Sequence, residues 1–393
     1  MNSHTDTHFH IGPILILMLM VLYNFLSRGV FSPLLPVLEE EFGVNHGRSS
    51  TLFLIMSISM SSSMVFSGFI SSRLHHRGTI LLYEFMLGLS LMLCALSPTF
   101  VLMQCAAALL GISAGLYAPS GLASVTNLAS RKHWGKAISV HETGPNFGLV
   151  LAPLVVGFAA PLIGWKLVLL LIGSANWLNG LLYFIWGRGG DFAGAPPNFS
   201  NLKLILNNRA FWIMALFLVL AASSAIGVYS ILPTYLISDK GMNPKIVNTV
   251  VGFSRVSAIA FVLGAGILAD RFGLKKLIGI ILLLTGGFGL LLGLLEGSLL
   301  LIAVFFQPVI VSGFFPVFNT TVSNITTAKT RNVAFSLIIP FASAIGAGAT
   351  PTIMGFLGER GHFSTSFIGL GILCSGATLL LPYLHIKMEH ADS

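Results

Sequence analysis

The chain predicts an all-α membrane protein, with twelve transmembrane helices in two pseudo-symmetric six-helix halves. Three observations carry that expectation. Charged residues make up 9% of the 393 residues against 55% hydrophobic ones, and mean hydropathy is +0.88, whereas soluble chains carry about 25% charged residues. Apolar runs long enough to cross a bilayer recur along the whole chain. Polar and glycine residues of the first half reappear in register in the second.

The expected spans of the first half cover residues 11–37, 50–72, 79–98, 100–122, 136–160 and 164–187. The first follows a tail with His4, His8 and His10, read as a disordered tail, and gives way to the acidic run Glu39, Glu40 and Glu41. The second ends at the basic residues Arg73 and Arg77. Only Ser97, Pro98 and Thr99 separate the third from the fourth. The fifth carries Gly144, Pro145, Gly148 and Pro153. The longest polar gap, Gly187 to Asn208, contains Gly189, Gly190, Gly194, Pro196 and Pro197 and reads as a linker. The expected domains are therefore 1–186, a linker at 187–208, and 209–393. Spans over 210–237, 247–269, 275–294, 298–323, 332–356 and 363–386 complete the second half.

Adding 198 to a first-half position often lands on the same residue type. Gly29, Val30 and Ser32 match Gly227, Val228 and Ser230, and Gly43 and Asn45 match Gly241 and Asn243. Thr51, Ser59, Gly68 and Arg73 match Thr249, Ser257, Gly266 and Arg271. Apolar composition alone does not hold glycine and polar matches in register, so the halves read as parallel repeats.

Lys and Arg concentrate in the loops on the side of the N-terminus, including Arg77, Arg131, Lys132, Lys136, Arg188, Lys275 and Lys276. The opposite side holds Arg48, Lys166, Lys240, Lys245 and Arg360. This bias places both termini in the cytoplasm of an inner (plasma) membrane. The net charge of +8 is thus a topology signal, since no soluble segment offers a basic face for nucleic acid. No cleavable signal peptide is expected, because the first apolar run lacks a basic flank and continues into a full span. Cys94, Cys105 and Cys374 all fall within spans and read as small core residues, without disulfide or metal spacing. No Ser/His/Asp constellation, metal cluster or phosphate loop is present, so neither an enzyme nor a cofactor is expected.

Two arginines stand alone inside apolar spans. Arg28 lies eleven residues before Glu39, or about 16 Å at 1.5 Å per helical residue. Arg255 lies ten residues beyond Lys245, or about 15 Å, against a hydrocarbon core of about 30 Å. Both belong near the midplane, where a guanidinium needs a wet cavity or a partner. Their repeat partners are Ile226 and Ser57, so the shared scaffold requires neither. The acids within spans, Glu84 and Glu142, sit at a different depth, nearer the cytoplasmic basic residues. A small carboxylate or phosphate could then bridge the two guanidiniums by bidentate hydrogen bonds. The alternative is an arginine locked to a carboxylate within one half.

The segment Gly266-Ile267-Leu268-Ala269-Asp270-Arg271-Phe272-Gly273-Leu274-Lys275-Lys276 resembles the loop signature of the major facilitator superfamily, G-x-x-x-D-R-x-G-x-K/R-K/R. The resemblance covers essentially the whole chain. It implies alternating access around a ligand held near the midplane between the halves, with Gly266, Asp270, Arg271, Gly273 and Arg73 as gating residues. In the first-half copy Ser72 replaces the acid and His75 the second glycine. Arg28, eight residues ahead of Pro36, is similar to the first helix of the organic phosphate, anion/cation symporter and cyanate-type branches.

The expected activity is secondary transport of a small organic anion, a mono- or dicarboxylate, by a monomer that meets only its substrate, protons and membrane lipid. Arg28 and Arg255 bind the anion, while Tyr23, Asn24, Tyr117, Asn146, Tyr229 and Asn319 shape the pocket by hydrogen bonding. Glu142 is the candidate proton carrier, with His141 beside it as the next. The alternative for Glu142 is a structural acid at a helix start. Glu84 reads as a packing residue. Two other cargoes remain open: an inorganic anion of the nitrate type, which Gly144-Pro145-Asn146-Phe147-Gly148 faintly resembles, and a drug or lipid. The stretch Gln104 to Gly111 carries no arginine, which counts against drug/proton exchange. A non-transporting membrane sensor would need an output domain that the sequence does not show.

Overall fold

A computed structural model describes residues 9–195 and 205–385. The structure is helical, with one isolated β-bridge between Phe9 and Ala129 among the described residues. Ten helical stretches there are long and apolar enough to cross a membrane. The chain is therefore an all-α, multi-pass integral membrane protein. In lipid, every backbone N–H and C=O needs an internal partner, and a helix supplies it within its own segment.

The first stretch joins α1 (Ile11–Gly29) to α2 (Phe31–Phe42). α3 (His46–Leu96) keeps helical hydrogen bonding for 51 residues but bends at His75. A straight helix of that length would run about 77 Å, far beyond the hydrocarbon core, so the bend is where the chain turns back. α4 (Phe100–Asn127) follows a gap of three residues, and the Thr99 side chain caps it by accepting from the Leu102 amide at 3.3 Å. The brief Ser97-Pro98-Thr99 break is thus a real helix boundary. α5 (Trp134–Ile163) and α6 (Trp165–Trp186) complete this run.

Next, α7 (Arg209–Ala222) is capped by Asn208, widens into a π-helical turn at Ser223–Gly227 and continues as α8 (Val228–Thr234). α9 (Pro244–Phe272) starts on an Asn243 cap with proline at its first position, where no intrahelical N–H is lost. α10 (Leu274–Leu294), α11 (Gly297–Ser312) and α12 (Phe314–Ile325) follow. α13 (Ala328–Ala342) passes through a second wide turn, Ser343–Ala349, into α14 (Thr350–Glu359), and α15 (Phe363–Ala377) comes last. Cys94 and Cys374 are buried as expected, but Cys105, on α4, is exposed.

The chain divides into two compact units, Met1–Leu34 with Ile58–Pro197, and Leu35–Ser57 with Asn198–Ser393. In the first, α5 runs against α1 at glycine contacts. A Cβ on Gly144 would stand 2.5 Å from the Met18 carbonyl oxygen, and one on Gly148 2.6 Å from that of Leu22. In the second, Gly346 meets the turn after α7 equally closely, 2.7 Å from the Ser223 nitrogen, and Gly346 is Gly148 shifted by 198. The segment 35–57 is tied within that unit by Thr352 Oγ1 donating to the Ser50 carbonyl at 3.0 Å and by Asn45 Nδ2 donating to Glu359 Oε1 at 2.6 Å.

The bend at His75 has φ 60° and ψ 168°, and the repeat-related Gly273 has φ 78° and ψ 146°. That region is open to glycine and costs other residues about 1–3 kcal/mol. Both units therefore make the same turn, and the first makes it with the wrong residue. His75→Gly relieves this strain and gives back about 0.5–1 kcal/mol in unfolded-state entropy. The thermal midpoint of the detergent-purified variant is expected to rise by a few degrees; an unchanged or lower midpoint would show that the His75 side chain contributes more than its backbone costs.

Candidate functional site

Arg28 projects from the last turn of α1 and is half-buried. Its Nε donates to the Asn24 carbonyl at 3.3 Å, its Nη1 to Met60 Sδ at 3.1 Å, and its plane lies 4.6 Å from the Phe25 ring. A thioether is a weak acceptor, and a guanidinium has five N–H groups to satisfy. Among the described residues, no carboxylate lies within ion-pair distance of Arg28.

Arg255 sits on α9 and is 8% exposed. Its Nη2 donates to the Ala225 carbonyl at 2.6 Å, and its plane lies 4.7 Å from the Tyr229 ring. Its Nε is buried without an acceptor, and no described carboxylate pairs with it. The acceptor it does have comes from the π-helical turn. Widening to i→i+5 bonding disturbs the regular ladder, and neighbouring carbonyls there take side-chain donors: Ala225 from Arg255 and Ser224 from Gln307 Nε2 at 2.7 Å. Neither Gln307 nor these carbonyls stood out in the sequence, because no local pattern marks a π turn.

Burying a cation costs several kcal/mol unless an opposite charge compensates. Cation–π contacts return about 0.5–2 kcal/mol each, and one carbonyl bond to a charged donor about 1.5–3 kcal/mol. Those contacts leave each guanidinium with charge and donors to spare.

The other expected site residues fall into separate settings. Asn24 is buried and donates to the Ala114 carbonyl at 3.2 Å, a tie between α1 and α4. Tyr23 is half-buried, Tyr229 is buried, and Asn319 is exposed on α12. Asn146 Nδ2 donates to the Glu142 carbonyl at 3.2 Å. Glu142 itself is an outward-facing acid, its side chain 58% exposed, whereas its neighbour His141 is buried. The two meet at 3.0 Å, Nδ1 to Oε1, and His141 Nε2 lies 2.9 Å from the Tyr117 hydroxyl. Glu84 is buried and accepts from Asn179 Nδ2 at 3.1 Å, joining α3 to α6. Of the expected gating set, Arg73 and Arg271 are exposed and Gly273 makes the left-handed turn; the surroundings of Gly266 and the side chain of Asp270 lie outside what the structure describes.

Comparison with known proteins follows the same lines. Residues 17–264 and 228–392 match the profile of the Major Facilitator Superfamily. A protein of Staphylococcus haemolyticus (strain JCSC1435) named "Probable nitrate transporter NarT" is 23% identical over 273 residues, 68% of this chain and 70% of that one. Among solved structures, a bacterial homolog of the human lysosomal transporter Spinster, inward-facing and occupied, superposes with a TM-score of 0.80 at 15% identity, covering 96% of this chain and 98% of that one. A D-xylose-proton symporter gives 0.78 at 17% identity over 94% of this chain and 97% of its own. At these identities the likeness is one of fold.

Proposed function

Because this chain belongs to the Major Facilitator Superfamily, and is thus a secondary transporter of a small solute and not an enzyme, we propose that its solute is a small organic anion. A mono- or dicarboxylate, moved together with a proton, fits the site best. The observation that carries the reading is the pair of guanidiniums, Arg28 and Arg255, each set in a helix without a described carboxylate to neutralise it. A carboxylate offers two coplanar oxygens that match the guanidinium fork. Glu142, exposed and bonded to His141, is the proton carrier. The twelve-span, two-half arrangement with both termini cytoplasmic, and gating by Asp270, Arg271 and Arg73, belong to the same proposal.

A second reading, inorganic nitrate, is favoured by the NarT relative and by Gly144-Pro145-Asn146-Phe147-Gly148. Nitrate is also a planar anion that a guanidinium accepts in bidentate fashion. Thermal unfolding of the purified protein against lactate, succinate, inorganic phosphate and nitrate separates the two. A ligand at 100 times its dissociation constant adds about 2.7 kcal/mol, a shift of several degrees. The carboxylate reading expects lactate or succinate to raise the midpoint and nitrate to leave it unchanged; the reverse pattern selects the nitrate reading, and silence from all four anions overturns both.

A further inference from the structure

The hydrogen bonds around His141 can be counted proton by proton. Tyr117, on α4, donates its only hydroxyl hydrogen to the Leu17 carbonyl on α1 at 2.7 Å. A backbone carbonyl can only accept, so that hydrogen is committed. The 2.9 Å contact between the same hydroxyl and His141 Nε2 can then exist only if Nε2 carries a hydrogen and donates it to the Tyr117 oxygen. With Nε2 protonated, a neutral imidazole has a bare lone pair on Nδ1. That lone pair faces Glu142 Oε1 at 3.0 Å, and an ionised carboxylate only accepts. Two acceptors at 3.0 Å repel, and a single added proton turns the contact into a hydrogen bond, whether it rests on Nδ1 or on the carboxyl group.

We propose that His141 and Glu142 form a one-proton binding site, whose proton lies between Nδ1 and Oε1 and whose occupancy is set by Tyr117 acting as a positioning residue. This deepens the proton-coupling part of the function proposed above and rests on that reading only for the claim that the bound proton is transported. When filled, the pair is neutral overall, and when empty, it carries the carboxylate charge alone. The Leu17 carbonyl that starts the chain belongs to α1, the helix that also carries Arg28. Proton occupancy at the pair is therefore bonded directly to the helix of the anion-binding arginine, a contiguous link through one tyrosine.

The surroundings contain few other groups that could supply or take that proton. Tyr83 of α3 packs against Tyr117 with ring centroids 4.8 Å apart, but its hydroxyl donates to the Met20 carbonyl at 2.7 Å. Glu84 on α3 accepts from Asn179 Nδ2 at 3.1 Å, and the Tyr183 hydroxyl on α6 donates to the Gly189 carbonyl at 3.2 Å. On α5 itself Lys136 stands five residues ahead, its Nζ 5.1 Å from the Phe9 ring. Glu142 remains the acidic group in hydrogen-bond contact with the imidazole.

The site is testable without knowing the substrate. The full chain, labelled with 15N at histidine and purified in detergent, gives imidazole nitrogen shifts, and the difference from His141→Gln identifies the His141 signals. In the wild type, the neutral ring is expected to carry its hydrogen on Nε2, and the proton of the filled site is expected on the Nδ1 side. In Tyr117→Phe the neutral ring is expected to change tautomer, moving its hydrogen to Nδ1 to meet Glu142. In Glu142→Gln the amide N–H can donate to Nδ1, so proton uptake at this ring is expected to fall at least tenfold in proton affinity, one pH unit or more. A wild-type ring with its hydrogen on Nδ1 and a bare Nε2, or a Glu142→Gln ring that titrates as the wild type does, overturns the inference. Proton entry into pyranine-loaded proteoliposomes on adding external lactate or nitrate tests the transport reading separately. If neither anion drives proton entry into wild-type vesicles beyond that in protein-free vesicles, proton coupling falls while the nitrogen shifts still decide the site. If wild-type vesicles respond and His141→Gln vesicles respond equally, the transported proton rides elsewhere and the inference fails alone.

Discussion

Replacing Arg28 or Arg255 with alanine is expected to lower anion uptake at least 100-fold while the protein still inserts, purifies and elutes as a single species. Truncating one member of a buried, charge-assisted contact costs about 2–5 kcal/mol of binding, and 100-fold corresponds to about 2.7 kcal/mol. Lysine is expected to restore little at either position, since it keeps the charge but loses the planar fork. Stability should move the other way. Arg255 is buried with an unpartnered Nε and without a described counter-charge, so Arg255→Leu removes an uncompensated charge and is expected to leave the thermal midpoint of the ligand-free protein equal or higher. A structural ion pair would behave oppositely, because breaking it leaves a buried charge alone at a cost of about 3–5 kcal/mol. Loss of uptake with retained or increased stability is the signature of a binding group. Loss of both would assign the arginines to the scaffold.

The other large effect lies in the contact of α5 with α1. Gly144→Val or Gly148→Val is expected to abolish the folded protein. The atoms that an added Cβ would meet, the carbonyl oxygens of Met18 and Leu22 at 2.5 and 2.6 Å, are backbone and cannot swing aside. Relief requires parting the helices, and overpacking of a well-filled contact already costs about 1–3 kcal/mol where side chains can adjust. Small residues at such crossings are what let membrane helices pack, since lipid offers no hydrophobic drive between them. Gly135, on the same helix with nothing within 4 Å of an added Cβ, is the control: Gly135→Ala is expected to be neutral or stabilising by up to about 1 kcal/mol. Fluorescence-detected size exclusion of the three variants decides the matter, and a monodisperse Gly144→Val peak at the wild-type level would show that α1 and α5 do not meet as closely as described.

Much of this was legible in the sequence because membrane physics makes certain residues expensive. A lone Arg in an apolar run and glycines four apart in the fifth span each announce a specific need. Position 75 is instructive: the repeat marks it as a glycine position, and the structure bends there although the residue is histidine. The turn is dictated by where two spans must reverse, so topology overrides the residue. What the sequence did not disclose was tertiary. The π turn at Ser223–Gly227 depends on what packs against it, and so does the Ala225 carbonyl offered to Arg255. His141 and Glu142 were both visible as candidates, but which of the two is buried follows from the rotation of α5 about its axis. Tyr117 read as a pocket residue; its bond to His141 spans two helices and has no local signature. Likewise, residues 35–57 are contiguous with the first half in sequence yet cluster with the second unit, a grouping that only long-range contacts reveal.

The most direct measurement of the central claim is the thermal midpoint of wild type, Arg28→Leu and Arg255→Leu over a concentration series of whichever anion, lactate, succinate or nitrate, stabilises the wild type. The wild-type midpoint is expected to climb with anion concentration as site occupancy stabilises the folded state. Both variants are expected to start no lower than about the wild-type value and to show no response over the same range. A variant that starts at the wild-type midpoint and climbs in parallel with it would contradict the assignment of that arginine to the anion.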